Sequence, residues 1–198
     1  MKTNLLPSAV AIATQFKTVD QYFSAKKKLS EYSQSMHVNE PFSHRLNDFV
    51  VDWFEENKEK FNMVDHDEFD DTDSKTAFTN MKDRFNETGK IHVVRTSFPT
   101  IFGDSEIYDK FRAWHDYMHV TCNCGFDIGS ESIVAVVQAS KLPDNWLLEK
   151  ELIVAQIAGT NQYYKIHKDY VKDHREFVSQ YLSDPEKAIF NIQIEQTF

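Results

Sequence analysis

The residues able to do chemistry gather in WHDYMHVTCNCGFDIGSES, residues 114–132. His115, Asp116 and His119 fall within five residues, and Glu131 follows twelve residues after His119. Four residues of helix advance about 400°, so His115 and His119 project from one side. Two imidazoles so placed can chelate one ion, and nearby carboxylates can complete its shell. A set of His115, Asp116, His119 and Glu131 suits a divalent metal: zinc first, with iron or manganese as alternatives. Asp116 has a second available role, orienting an imidazole by accepting its other N–H. A rival set of His115, His119 and Cys122, with Cys124 nearby, would make a closed structural zinc site. Hydrogen-bonded core histidines without metal are the third reading.

These residues need elements to position them. The pattern predicts a helix from Asp104 or Ser105 to Thr121. On its wheel Ile107, Phe111, Trp114 and Met118 fall within about 60° and form the core stripe. The two histidines flank that stripe, with Arg112 and Asp116 slightly further round. Cys122 to Gly129 reads as a loop, and Ser130 is placed to cap the next helix. Glu131 then sits in that helix's first turn, where the dipole favours a carboxylate. Its Ile133–Val137 run is apolar on all sides, which predicts a buried central helix. Asp144 is placed to cap a helix from Asn145 towards Ala158, with Gly159 as an interruption. A heptad-like stripe follows: Thr160, Tyr163, His167, Tyr170, His174, Phe177 and Tyr181, ended by Pro185. A ligating carboxylate cannot freely act as base, so His167 and His174 are the candidate proton carriers. Arg112 is the candidate anion holder.

Upstream, helical patterns run from Ser8 to Ser33 and from Pro41 to about Phe61. The acidic run DHDEFDDTD, residues 65–73, fails as a calcium loop because Asp70 stands where glycine is required. It reads as a mobile, solvated segment. Thr76 to Asn86 predicts another helix, stopped at Gly89, and Ile91 to Arg95 is the best strand candidate. The tail from Ala188 fits a strand or a short helix. Five Gly and five Pro in 198 residues, with 41% hydrophobic residues, predict a mainly α, single-domain helical bundle over 1–198 with at most a small β element. The net charge of −9 opposes nucleic-acid binding. No apolar run is long enough to span a membrane, and Cys122 and Cys124 supply no disulfide framework. The expectation is a soluble, reduced, cytoplasmic protein.

HDYMH, eleven residues and then Glu resembles the metal-site signature of the coenzyme Q biosynthesis family associated with ring C1 processing. That resemblance implies His115, Asp116, His119 and Glu131 as ligands of zinc or another divalent ion in a largely helical protein. FRAWHDYMH, GSES, NQYY and HREFVSQYL also resemble uncharacterised proteins of large tailed bacteriophages, which implies a location in the host cytoplasm. A weaker likeness is to the HD phosphohydrolases, with His115-Asp116 as the pair and His92 and Asp169 or Asp173 as its outliers. The leading expectation is a phage-encoded metalloenzyme, hydrolase-like or lyase-like, acting on a small molecule. The alternative is a noncatalytic phage protein that binds a host protein, its cluster serving the fold.

Overall fold

Helix caps divide this chain. The computed structural model describes residues 19–33, 35–66, 73–98 and 100–190. In chain order the elements are α1 (Val19–Ser33), α2 (His44–Asn57), β1 (Phe61–Val64), α3 (Ser74–Thr88), β2 (Ile91–Val94), α4 (Ser105–Cys122), α5 (Ile128–Ser140), α6 (Leu147–Val154), α7 (Thr160–His167), α8 (His174–Ser183) and α9 (Pro185–Phe190). Ser43, Asp73, Asp104, Asp127 and Asp173 each hold extended backbone and accept from otherwise free N–H groups of the helix that follows. The fold is mainly α, with one two-stranded sheet among the described residues.

Several expectations need correction. The helix expected to reach Phe61 stops at Asn57; a 3₁₀ turn follows and Phe61 opens β1. β1 pairs in parallel with β2, Phe61 with Ile91 through Val64 with Val94, with α3 in the crossover. Burial drives this: Phe61, Ile91 and Val93 close over Phe54 and Ala113. Asp127, not Ser130, caps α5, and the Ser130 hydroxyl donates to the Asp127 carboxylate. α5 is not buried all round. It turns Val134, Ala135, Gln138 and Ala139 inward while Ile133 and Val136 are 54% and 60% exposed.

Asp144 caps nothing; α6 begins at Leu147 behind Trp146, without a side-chain cap. Nor does Gly159 interrupt the helix. Ala155–Gly159 forms a π turn that runs directly into α7. A Cβ on Gly159 would lie 3.0 Å from the Tyr181 ring, so the missing side chain admits α8. The single helix expected from Thr160 to Tyr181 is two. Lys168 takes a left-handed φ of 54° and closes α7, and Asp173 caps α8. Gly89 (φ 72°) ends α3 as expected. The expected helix from Ser8 is seen from Val19. Residues 1–18, 67–72 of the acidic run and 191–198 of the tail lie outside the described residues.

α4 carries the core. Phe111, Trp114 and Met118 are buried as its stripe, and Ile107 packs at the edge. The Trp114 ring meets Phe49 and Trp53 of α2 at centroid distances of 5.3 and 5.7 Å. On the far side Glu149 of α6 is fully buried yet paired. It accepts from Ser43 (3.0 Å) and from Arg45 through both oxygens (2.8 and 2.6 Å). A buried carboxylate is tolerated when its oxygens are matched in this way. No described helix is long and apolar enough to cross a membrane.

The turn before α4 fixes where that helix begins. Phe42 N–H donates to the Ile101 carbonyl, and Asn47 donates to that of Phe102. Gly103, at φ 68°, lies so close to this strap that a Cβ would meet the Asn39 oxygen at 2.6 Å. Gly89 is equally left-handed, but its Cβ would meet nothing within 4 Å. Gly89→Ala should therefore cost only the conformational penalty, about 1–2 kcal/mol. Gly103→Ala should cost that plus a backbone clash, about 3 kcal/mol or more. Urea unfolding of the two variants checks the order; equal losses contradict it.

Candidate metal centre

The end of α4 builds the first half of the site. Asn123 adopts a left-handed conformation, φ 53°. Its N–H donates to the Val120 carbonyl, and the Cys124 N–H donates to that of His119. This is a Schellman ending, with asparagine in the place more often taken by glycine. It turns the Cys124 carbonyl back over the helix, 2.9 Å from His119 Nδ1. One turn earlier, His115 Nδ1 is 2.9 Å from Oε1 of Gln138, a fully buried residue of α5. Both oxygens can only accept, so each imidazole carries its proton on Nδ1 and presents an Nε2 lone pair.

Those lone pairs converge. The two Nε2 atoms are 3.0 Å apart. Glu131, in the first turn of α5, brings Oε2 to 3.1 Å from His115 Nε2 and Oε1 to 3.5 Å from His119 Nε2. The Asn161 amide of α7 donates to Glu131 Oε2 (3.3 Å) and to the Ile157 carbonyl (3.1 Å). The Phe126 ring stands edge-on to His119 at 4.8 Å. The His119 side chain is fully buried, while those of His115 and Glu131 keep 14% and 12% of their surface, giving the group one accessible side.

Electrostatics ties the three together. Burial alone would raise the Glu131 carboxyl, but the rings, when a proton is held on Nε2, donate to it, and together with their charge they hold the group at about 2. Burial opposes protonation of His119, and the Glu131 carboxylate overrides that too, so its affinity for a proton is raised. Two facing lone pairs 3.0 Å apart repel unless a proton or a cation lies between them. His115, His119 and Glu131 are the one group of three or more His, Cys, Asp or Glu side chains among the described residues whose ligand atoms lie within 4.8 Å of one another.

The other expected site residues are more dispersed. Asp116 is on the same face of α4 but outside the converged group; burial raises its carboxyl against the pull of Arg112 and both histidines. The cysteine set does not assemble. Cys124 Sγ donates to the Cys122 carbonyl, both thiols are free, and the residue's contribution to His119 is its backbone oxygen. His167 and His174 do not share a helix. His167 donates from Nε2 to the Ile189 carbonyl and stacks on Tyr163; His174 meets the Gln156 amide at 2.6 Å. Arg112 donates to the Val94 carbonyl and lines a cavity together with His174. The HD arrangement does not form either. Asp173 is spent capping α8, Asp169 accepts from the Tyr170 N–H, and neither they nor His92 join the cluster.

Gln138 and Asn161 are absent from the expected set. Gln138 is seven residues after Glu131, hence on one face of α5, and that spacing was available. Asn161 depends on the π turn and left no comparable trace. Compared with known proteins, the chain matches no family model, no curated protein and no solved structure, so the reading of this site rests on its geometry.

The proton between the rings has a measurable consequence for chelator-treated protein. His119 is raised above its ordinary 6.5, so it contributes stability that is complete below pH 6.5 and lost as pH rises through its folded value. His174 is lowered by burial, so its contribution is complete above pH 6.5 and lost below. Glu131 is held at about 2, so its contribution is lost only as pH falls from about 4.5 towards that value. Above pH 6.5 a decline reports groups whose hold on a proton is raised, His119 and, through burial, Asp116, and the His119 variant separates the two. The urea midpoint of metal-free protein should fall as pH rises above 6.5, and His119→Gln should flatten that fall. A midpoint that rises instead contradicts the shared proton.

Proposed function

We propose that this chain is a divalent-metal protein in which His115, His119 and Glu131 hold the ion, with zinc the first choice and catalysis of a hydrolase or lyase type its use. The observation that carries the reading is the convergence of two oriented Nε2 lone pairs and a carboxylate. In a tetrahedral shell with bonds of about 2.0–2.1 Å, donor atoms sit about 3.3 Å apart. The three separations here are 3.0, 3.1 and 3.5 Å, so small shifts would seat an ion against all three groups. The Nδ1 contacts to Cys124 and Gln138 are those a ligating histidine needs to fix its tautomer.

Asp116 is the proposed fourth ligand. With neutral histidines, Glu131 and Asp116 would balance a divalent charge in a site with little water, and burial makes an uncompensated carboxylate there costly. The resemblance of HDYMH and its following Glu to the coenzyme Q biosynthesis signature points to the same four residues. A bound ion would supply a Lewis acid able to polarise a substrate oxygen or activate water. The exposed edges of His115 and Glu131 favour a catalytic over a closed structural role, because a small molecule has a side from which to approach. Arg112, one turn before His115, would hold an anionic substrate group, and His174, which lines a cavity with Arg112, would be the proton carrier. Origin in a phage and residence in the host cytoplasm belong to this reading as well.

Metal analysis of purified protein tests it. One equivalent per chain is expected, lost in His115→Ala and in Glu131→Gln. Gln138→Ala should keep the fold and weaken binding by roughly 10–100-fold, because it releases only the orienting contact. A folded wild type that takes up no zinc, iron or manganese refutes the site. Global unfolding on chelation favours the structural alternative.

A further inference from the structure

We propose that the cavity beside Arg112 is a binding site for a phosphate monoester carried on a flat ring, of which a nucleoside monophosphate is the simplest biological form. The cavity measures about 510 Å³ and opens between the β2–α4 connection, α4 and the loop joining α7 to α8. None of His115, His119 and Glu131 lines it, and the inference does not depend on a metal.

Its charge comes first. Arg112 and Lys172 both line it, and no carboxylate does. Of the acids nearest in sequence, Asp116 interacts with the Arg112 charge without lining the cavity, Asp169 accepts from the Tyr170 N–H, and two more are engaged elsewhere. Asp109 accepts from the Thr96 N–H and hydroxyl behind the wall. Asp173 caps α8 and lines the neighbouring groove instead. Lys172 has no ion-pair partner among the described residues, and Arg112 spends one N–H on the Val94 carbonyl, which steadies the guanidinium and leaves its other donors. In a chain of net charge −9, two cations facing one cavity without an acid is a departure that asks for a dianion. A monocarboxylate would match only one of them. The larger groove nearby, about 690 Å³, carries Asp173, Glu176 and Asp184 against Arg175 and Lys187, so its acids outnumber its cations.

The rings come second. Phe98 and Tyr170 are 48% and 73% exposed, so burial does not explain them. Both are nonetheless steadied. Tyr170 stacks on Tyr164 at 4.6 Å, and Phe98 lies 6.0 Å from both Tyr108 and His174. Rings held at the mouth of a basic cavity offer faces on which a planar ring can stack. His174 adds direction. The Gln156 amide donates to its Nδ1, which leaves the proton on Nε2 as a donor from the cavity wall.

Calorimetric titration of chelator-treated full-length protein tests this, with adenosine 5′-monophosphate, adenosine and inorganic phosphate as probes. The monophosphate should bind at least tenfold more tightly than either fragment. Lys172→Ala should weaken the monophosphate roughly tenfold and leave adenosine unchanged, since it removes one charge-assisted contact. Tyr170→Ala should weaken the monophosphate and adenosine by a similar factor and leave phosphate unchanged. Both residues are exposed, so neither variant endangers the fold. The proposal is overturned if the monophosphate binds no better than its fragments, or if both variants bind it as wild type does. It is equally overturned if binding appears only with zinc and is abolished by His115→Ala, which would put the phosphate on the metal centre. Zinc binding without monophosphate binding would leave the metal reading standing and remove this one.

Discussion

The bond from His119 Nδ1 to the Cys124 carbonyl is the constraint on which the centre depends. It exists because α4 ends in a Schellman turn, and the turn exists because Asn123 tolerates left-handed backbone. The same few residues stop the helix, satisfy its last carbonyls and decide which nitrogen of a buried imidazole is left bare. They also reverse the chain so that Asp127 can cap α5 and its first turn can deliver Glu131 beside the histidines. Local backbone chemistry and site geometry are here one event.

The remainder of the fold holds α4 still. Trp114 is locked among the aromatic rings of α2, and β2 is tied to the helix by Arg112 on Val94 and by Thr96 on Asp109. On the opposite side the Arg45–Glu149 pair fastens the start of α2 to α6. Of these, the Arg45–Glu149 pair and the Thr96–Asp109 contacts match buried carboxylates with donors, and the Trp114 ring is held by aromatic contact. Breaking any one would leave a buried charge or an open aromatic contact, so the helix bearing both histidines has little freedom to slide or turn.

Much of this was legible in the chain itself. The core stripe of Phe111, Trp114 and Met118, the Asp104 cap and the facing of His115 and His119 follow from helical spacing alone. What escaped was non-local. β1 is four residues long and forms only because Ile91–Val94 arrives thirty residues later to pair with it. The exposed side of α5 could not be read from an apolar sequence, since the sequence does not say how many neighbours will cover it. The separation of His167 from His174 turns on Lys168 entering a conformation that its side chain disfavours. A rhythm of three and four residues survives such a break unaltered, so it overstates continuity. The cluster was found from types and spacing; its supports, Gln138 and Asn161, needed the packing.

The π turn at Ala155–Gly159 sets a phase. A wider turn takes one residue more than an α-helical path over the same length, so everything beyond it is rotated by about 100° relative to an unbroken helix. Asn161 meets Glu131 in that rotated frame. In this stretch the chain counts residues as angles: lengthening or shortening it by one would act less like a loop change than like turning a dial, carrying Asn161 off Glu131 while leaving every side chain chemically intact.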